Sequence, residues 1–190
     1  MKAKYIYILF IGLLFCACSK FTGSKVPLYT GDEISPDTTR NVLVAYFSRS
    51  GNTEQVATAI AGHTRGTLYR IERKKPYPED FKECASDAKK ELNDSVFPAL
   101  KDTIPDFDRY DVIFVGGPVW WHTAPMPVMS FLKRSGYDFS GKVVVPFCSY
   151  ANMFPHETLL EIVNATPNSL HPQRFYLRRR RYNRHSSMAR

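Results

Sequence analysis

The apolar positions fall into four runs separated by polar, helix-periodic stretches. Val42-Leu43-Val44-Ala45-Tyr46-Phe47 is continuous, as expected of a strand buried on both faces. A polar loop follows, then a helical pattern through Val56, Ile60 and Ala61. Leu68 to Ile71 reads as a shorter strand, and Pro76-Tyr77-Pro78 as a stiff loop. Asp80 to Leu92 predicts an amphipathic helix, with Phe81, Cys84, Ala88 and Leu92 near helical spacing. Pro98 to Pro105 is read as loop. Asp111 to Gly117 is a third buried strand ending in a glycine pair, and a loop over Pro118 to Pro125 leads to a helix around Val128 to Leu132. Lys142 to Phe147 is a fourth strand, Pro155 to Val163 a short helix, and Phe175 to Leu177 a candidate fifth strand. This alternation predicts an α/β fold, a doubly wound parallel sheet in three layers with helices on both faces. Ligands of such sheets sit at the carboxyl ends of the strands, where the strand order reverses.

The ends of the chain read differently. Lys2 and Lys4 precede an apolar run from Tyr5 to Phe15, short for a membrane span, which ends at Phe15-Cys16-Ala17-Cys18-Ser19. This resembles a bacterial lipoprotein signal with Cys18 as the lipidated residue, although Phe15 departs from the preferred Leu. A plain signal peptide and a signal anchor are the alternatives. The expected organisation is a signal over 1–18, a polar linker over 19–40, a folded domain over 41–177 and a basic tail over 178–190. It places the domain in a bacterial cell envelope, lipid-anchored to a membrane outside the cytoplasm.

Charge changes the picture once. The formal net charge is +8, yet seven of the 26 Lys and Arg are Arg within the last twenty residues, which hold no acid. The other 19 stand against 18 Asp and Glu, so the body is close to neutral. A basic tail alone does not argue for nucleic acid, and no nucleic-acid partner is expected. Cys84 and Cys148 form neither a zinc pattern nor a C-x-x-C pair; buried thiols are expected, with a disulfide the lesser alternative. No metal site is expected.

The most informative stretch is Ser48-Arg49-Ser50-Gly51-Asn52-Thr53, directly between the first strand and the first helix. There, backbone N–H groups and the positive end of a helix converge, hydroxyls add donors, and Gly51 allows close approach of a ligand. A phosphate dianion can be held this way without lysine. Neither a Walker A ending nor G-x-G-x-x-G is present. The plain alternative is an ordinary polar helix start.

Tyr46 to Thr53 resembles the phosphate loop of flavodoxins, which bind FMN and exemplify the strand-end rule. The resemblance covers roughly residues 41 to 170 and implies the strand order 2-1-3-4-5. It also implies FMN as cofactor, with Ser48, Arg49, Ser50, Gly51, Asn52 and Thr53 at the phosphate. The first ring-contacting loop would be Pro118, Val119, Trp120, Trp121, His122 and Thr123, with either Trp against the flavin ring. His122 would lie near the ring or be a solvated loop residue. The second loop would include Ser149, Tyr150 and Ala151, with Tyr150 facing the ring or solvent; it lacks the glycines of many relatives. The final helix of flavodoxins is expected to be missing or replaced, because Arg178-Arg179-Arg180-Arg181 and Tyr182-Asn183-Arg184 stand where it should be. A bare apolar sheet face beside the first helix would follow, and with it marginal stability unless a partner or a second copy, as in a homodimer, covers it.

Three functions compete at this stage. One is an electron carrier with bound FMN and an unidentified redox partner. Another is an FMN-dependent quinone or NAD(P)H oxidoreductase with a small-molecule substrate, although no catalytic acid or base stands out. The last is a membrane-tethered binding protein that has lost the flavin. The neutral body implies weak electrostatic steering toward any redox partner.

Overall fold

The computed structural model describes residues 40–150 and 155–171. Cys18, the linker, Ala151, the candidate strand at Phe175 to Leu177 and the basic tail lie outside the described residues. Four parallel strands, β1 (Val42–Tyr46), β2 (Thr67–Arg70), β3 (Val112–Pro118) and β4 (Val143–Ser149), form one sheet in the order β2-β1-β3-β4. This is the flavodoxin-like order, and the carboxyl ends of β1 and β3 flank its switch point. Leu170 adds a parallel bridge to Val143 on the edge of β4 away from β3, where a fifth strand would run.

Alternation along the strands explains their unbroken apolar runs. Leu43, Ala45, Phe47, Ile113, Val115 and Val144 face one core with α3 (Met126–Leu132) and α4 (Pro155–Ala165). Val44, Tyr46, Phe114, Val143, Val145 and Phe147 face a second core with α1 (Asn52–Thr64). Helix α2 (Phe81–Asn93) packs beside α3.

Several sequence expectations are corrected. Phe81 is exposed and Leu92 only half-buried; the stripe that α2 buries is Cys84, Ala88 and Glu91. Phe81 is the first residue of the helix and lies outside the stripe that Cys84, Ala88 and Glu91 bury. β4 extends through Cys148 and Ser149, because its register with Gly117 and Pro118 continues two residues further than apolarity alone suggests. The β4 residues on the α1 side, Val143, Val145 and Phe147, are buried, and the segment where a final helix would follow lies outside the described residues. Cys84 and Cys148 are separate, buried, free thiols.

Candidate functional site

Three segments meet at the carboxyl ends of β1, β3 and β4. The Phe47 N–H donates to the Gly116 carbonyl at 2.9 Å, and the Val119 N–H to the Ser149 carbonyl at 2.9 Å. The hydroxyls of Thr53 and Ser149 are 2.7 Å apart in a buried pair that joins the start of α1 to the end of β4. Gly116 permits the close approach of β3 and β4: a Cβ there would stand 2.2 Å from the Phe147 carbonyl oxygen. The residues named from sequence at 48–53, 118–123 and 149–150 are therefore brought together.

The loop from Ser48 to Gly51 leads from β1 into α1. Gly51 lies at φ +85°, a left-handed conformation costly for a side chain, with open space where a Cβ would stand. Ser48 is buried, and its Oγ accepts the Gly51 N–H at 3.1 Å, bracing the turn from inside. Ser50 is exposed. The N-cap of α1 is Gly51, which has no side chain to cap the first turn. Glu54 is the carboxylate that would compete in this turn. Its oxygens instead accept from the Tyr46 hydroxyl at 3.1 Å and pair with Arg70 at 3.3 Å. Arg49 departs from the simplest expectation: its guanidinium donates to the Glu79 carbonyl and ties the loop to the segment before α2.

The loop after β3 is a tight reversal. Trp120 and Thr123 exchange both backbone hydrogen bonds, at 3.1 and 3.0 Å, while Trp121 (φ +49°) and His122 (φ +66°) occupy the two central positions. Such turns favour Asn-Gly, so two consecutive bulky residues with positive φ store strain at this point. The two Trp have different surroundings. Trp120 is half-buried and edge-on to Phe47 and Tyr77, with ring centroids 5.3 and 5.4 Å away. Trp121 is exposed; its indole N–H donates to the Ala85 carbonyl at 3.1 Å, and the Lys89 ammonium sits 4.4 Å over its ring. His122 is exposed, and Tyr150, Pro118, Val119 and Thr123 are half-buried.

Sequence reasoning missed what lies behind Trp120. Tyr77 donates its hydroxyl to Glu91, whose other oxygen pairs with Arg73 at 2.7 Å. Burial, the Glu91 bond and the Glu91 charge all push the Tyr77 hydroxyl pKa up. Burial also raises the Glu91 carboxyl, against the lowering effects of Tyr77 and Arg73. The available signal was an acid on the buried stripe of α2, three residues after Ala88. Cys148 carries no activation: burial pushes its thiol up to about 12.

Comparison with known proteins places this geometry. A family model described as Flavodoxin matches residues 41–173. The chain is 31% identical over 137 residues to a protein named NAD(P)H dehydrogenase (quinone) from Acidovorax ebreus, covering 68% of this chain and 66% of that one. It thus spans just under two thirds of the length of that curated relative. Among solved structures, a protein described as a flavoprotein from Bacteroides eggerthii is 31% identical, with a TM-score of 0.63 over 70% of this chain and 84% of that one. A flavoprotein from Lactobacillus acidophilus, solved in complex with FMN, shares the fold at 21% identity; its TM-score is 0.61 over 70% of this chain and 89% of that one.

Proposed function

The chain belongs to the flavodoxin family, and from that premise we propose that it binds FMN noncovalently and acts as an electron carrier. The observation that carries this reading is the uncapped start of α1, joined through Thr53 and Ser149 to the loops after β3 and β4. The phosphate would be held by the N–H groups of residues 49, 50, 52 and 53 with the hydroxyls of Ser50 and Thr53, while the Gly51 N–H stays on Ser48 and braces the turn. Trp120, fixed between Phe47 and Tyr77, offers the flat apolar surface a flavin ring needs, with Tyr150 the candidate for its other side. Trp121 is the weaker candidate, because Lys89 and Ala85 already engage it. Bound FMN would supply the redox chemistry, while the chain binds, orients and shields it.

Titration of the flavin-free protein with FMN and with riboflavin tests this. FMN should bind roughly a hundredfold more tightly, since hydrogen bonds to a charged group contribute about 1.5–3 kcal/mol each. Equal affinities would remove the phosphate-loop argument, and no binding of either would return the reading of a binding protein that has lost its flavin. Trp120→Leu should weaken binding more than Trp121→Leu.

The name of the curated relative favours a second reading, an FMN-dependent quinone oxidoreductase using NAD(P)H. Sustained quinone reduction by the loaded protein with NAD(P)H would select it over the carrier. We further propose that Cys18 is lipidated and tethers the domain in a bacterial cell envelope. A Cys18→Ser variant should leave the membrane fraction or remain unprocessed; unchanged fractionation with an intact leader would favour a signal anchor.

A further inference from the structure

Behind the loop after β3 lies a cluster that the flavin reading does not use. Glu91 projects from the buried face of α2 and is 8% exposed. One carboxylate oxygen accepts the Tyr77 hydroxyl and the other pairs with Arg73 Nη2 at 2.7 Å. The Arg73 guanidinium also lies 3.8 Å over the Tyr77 ring. Tyr77 is therefore held at its hydroxyl by an acid and across one face by a cation. It meets Trp120 at 5.4 Å and Phe47 at 6.1 Å, both edge-on, while Trp120 meets Phe47 at 5.3 Å.

Stability is a weak reason for this arrangement. Burying an ion pair loses hydration that mutual attraction barely restores, and an apolar replacement of equal volume is often as stable. Arg73 is also imperfectly satisfied: its buried Nε and Nη1 have no hydrogen-bond partner. What the pair does supply is direction. A phenol hydrogen-bonded to a fixed carboxylate has one orientation, and Trp120 packs on the edge of that phenol.

We propose that Glu91 is a positioning residue, acting through Tyr77 to hold the Trp120 ring in a single orientation at the wall of the flavin site. This rests on the reading that the 118–123 loop borders the flavin. Arg73, paired with the other carboxylate oxygen, opposes the effect of burial and holds the carboxylate aimed at the Tyr77 hydroxyl. The span from Arg73 in the β2–α2 connection to Glu91 in α2 thus controls a surface on the β3–α3 loop.

The chain has two tryptophans, so Trp121→Phe leaves Trp120 as the sole indole reporter. In that background, without flavin, Tyr77→Phe should raise acrylamide quenching of Trp120 about twofold as the ring regains rotamer freedom. Its fluorescence anisotropy should fall while thermal unfolding stays cooperative. With Tyr77 intact, Glu91→Gln keeps an acceptor for the Tyr77 hydroxyl and should retain most of the order. Glu91→Ala would strand Arg73 in the interior and unfold the protein, so Tyr77→Phe is the decisive variant. With Trp120 and Trp121 intact, Tyr77→Phe should weaken FMN and riboflavin alike by up to about tenfold, the cost of ordering the freed Trp120 side chain on binding. In a Trp120→Leu background the same change should add nothing. Unchanged Trp120 quenching, or losses that add independently of Trp120, would overturn the proposal. Absence of FMN binding by the unmodified protein would instead remove the flavin reading, leaving the Trp120 order measurement to be judged alone.

Discussion

Helices α1 and α2 are each 13 residues long, yet they begin in opposite ways. α2 starts at Asp80, whose carboxylate accepts the N–H groups of Lys82 and Glu83 at 2.9 and 3.0 Å. Its positive end is neutralised by the chain itself, the ordinary solution for a helix terminus. α1 starts at Gly51 in a left-handed conformation with no side-chain cap. Its own acid, Glu54, is engaged by Tyr46 and Arg70. A helix start without a side-chain cap lies beside the buried Thr53–Ser149 pair at the switch point of a parallel sheet, where the proposed phosphate site falls. α3, whose N-cap is Pro125, also has no side-chain cap, so what sets the start of α1 apart is its place at the strand ends and not the missing cap alone.

The largest expected effect tests the open start directly. Replacing Ser50 and Thr53 together by alanine should cost about 3 kcal/mol of FMN affinity with little change for riboflavin. Parallel losses for both flavins would mean that the hydroxyls support the fold and not the phosphate. Gly51→Ala meets no atom, so its cost is conformational alone, about 1–2 kcal/mol of stability for a left-handed residue. Urea unfolding measures it; a neutral substitution would show that the φ of +85° is not required. Asp80→Ala should destabilise the domain by about 1 kcal/mol and leave FMN affinity unchanged. A fall in affinity would erase the distinction between the two starts.

The smallest effect concerns Cys84 in the first turn of α2. A helix N-terminus ordinarily favours a thiolate, but burial wins here and raises the Cys84 pKa against the opposing influence of Arg49. A raised folded-state pKa means that the associated stability is fully present below the unfolded thiol pKa and is lost as pH rises through the folded one. Native protein should therefore resist iodoacetamide at neutral pH, and alkaline titration should destabilise it. Rapid alkylation of Cys84 in folded protein would show that α2 is open as well.

The parallel sheet was legible because strands covered on both faces leave unbroken apolar runs, as Val42 to Phe47 and Val112 to Val115 do. The turn from β1 into α1 was legible because Gly, Ser and Thr between a strand and a helix have a local physical meaning. The roles of the two Trp were not, since adjacent residues in a turn are separated only by what packs on each. Glu91 was also hidden: an acid on a buried stripe needs partners from Arg73 and Tyr77, supplied by a different segment.

The sequence by itself determined the order of elements, the position of the 48–53 loop and the parallel sheet that follows from alternating periods. Each depends on interactions within a few residues or on which faces are apolar. Only the tertiary structure decided that Trp120 packs inward and Trp121 lies against α2, that Arg49 reaches Glu79, and that Ser149 closes on Thr53. Those outcomes are pairings between segments distant in the chain. They exist only once the strands bring β1, β3 and β4 to one edge and each polar group competes for the partners found there.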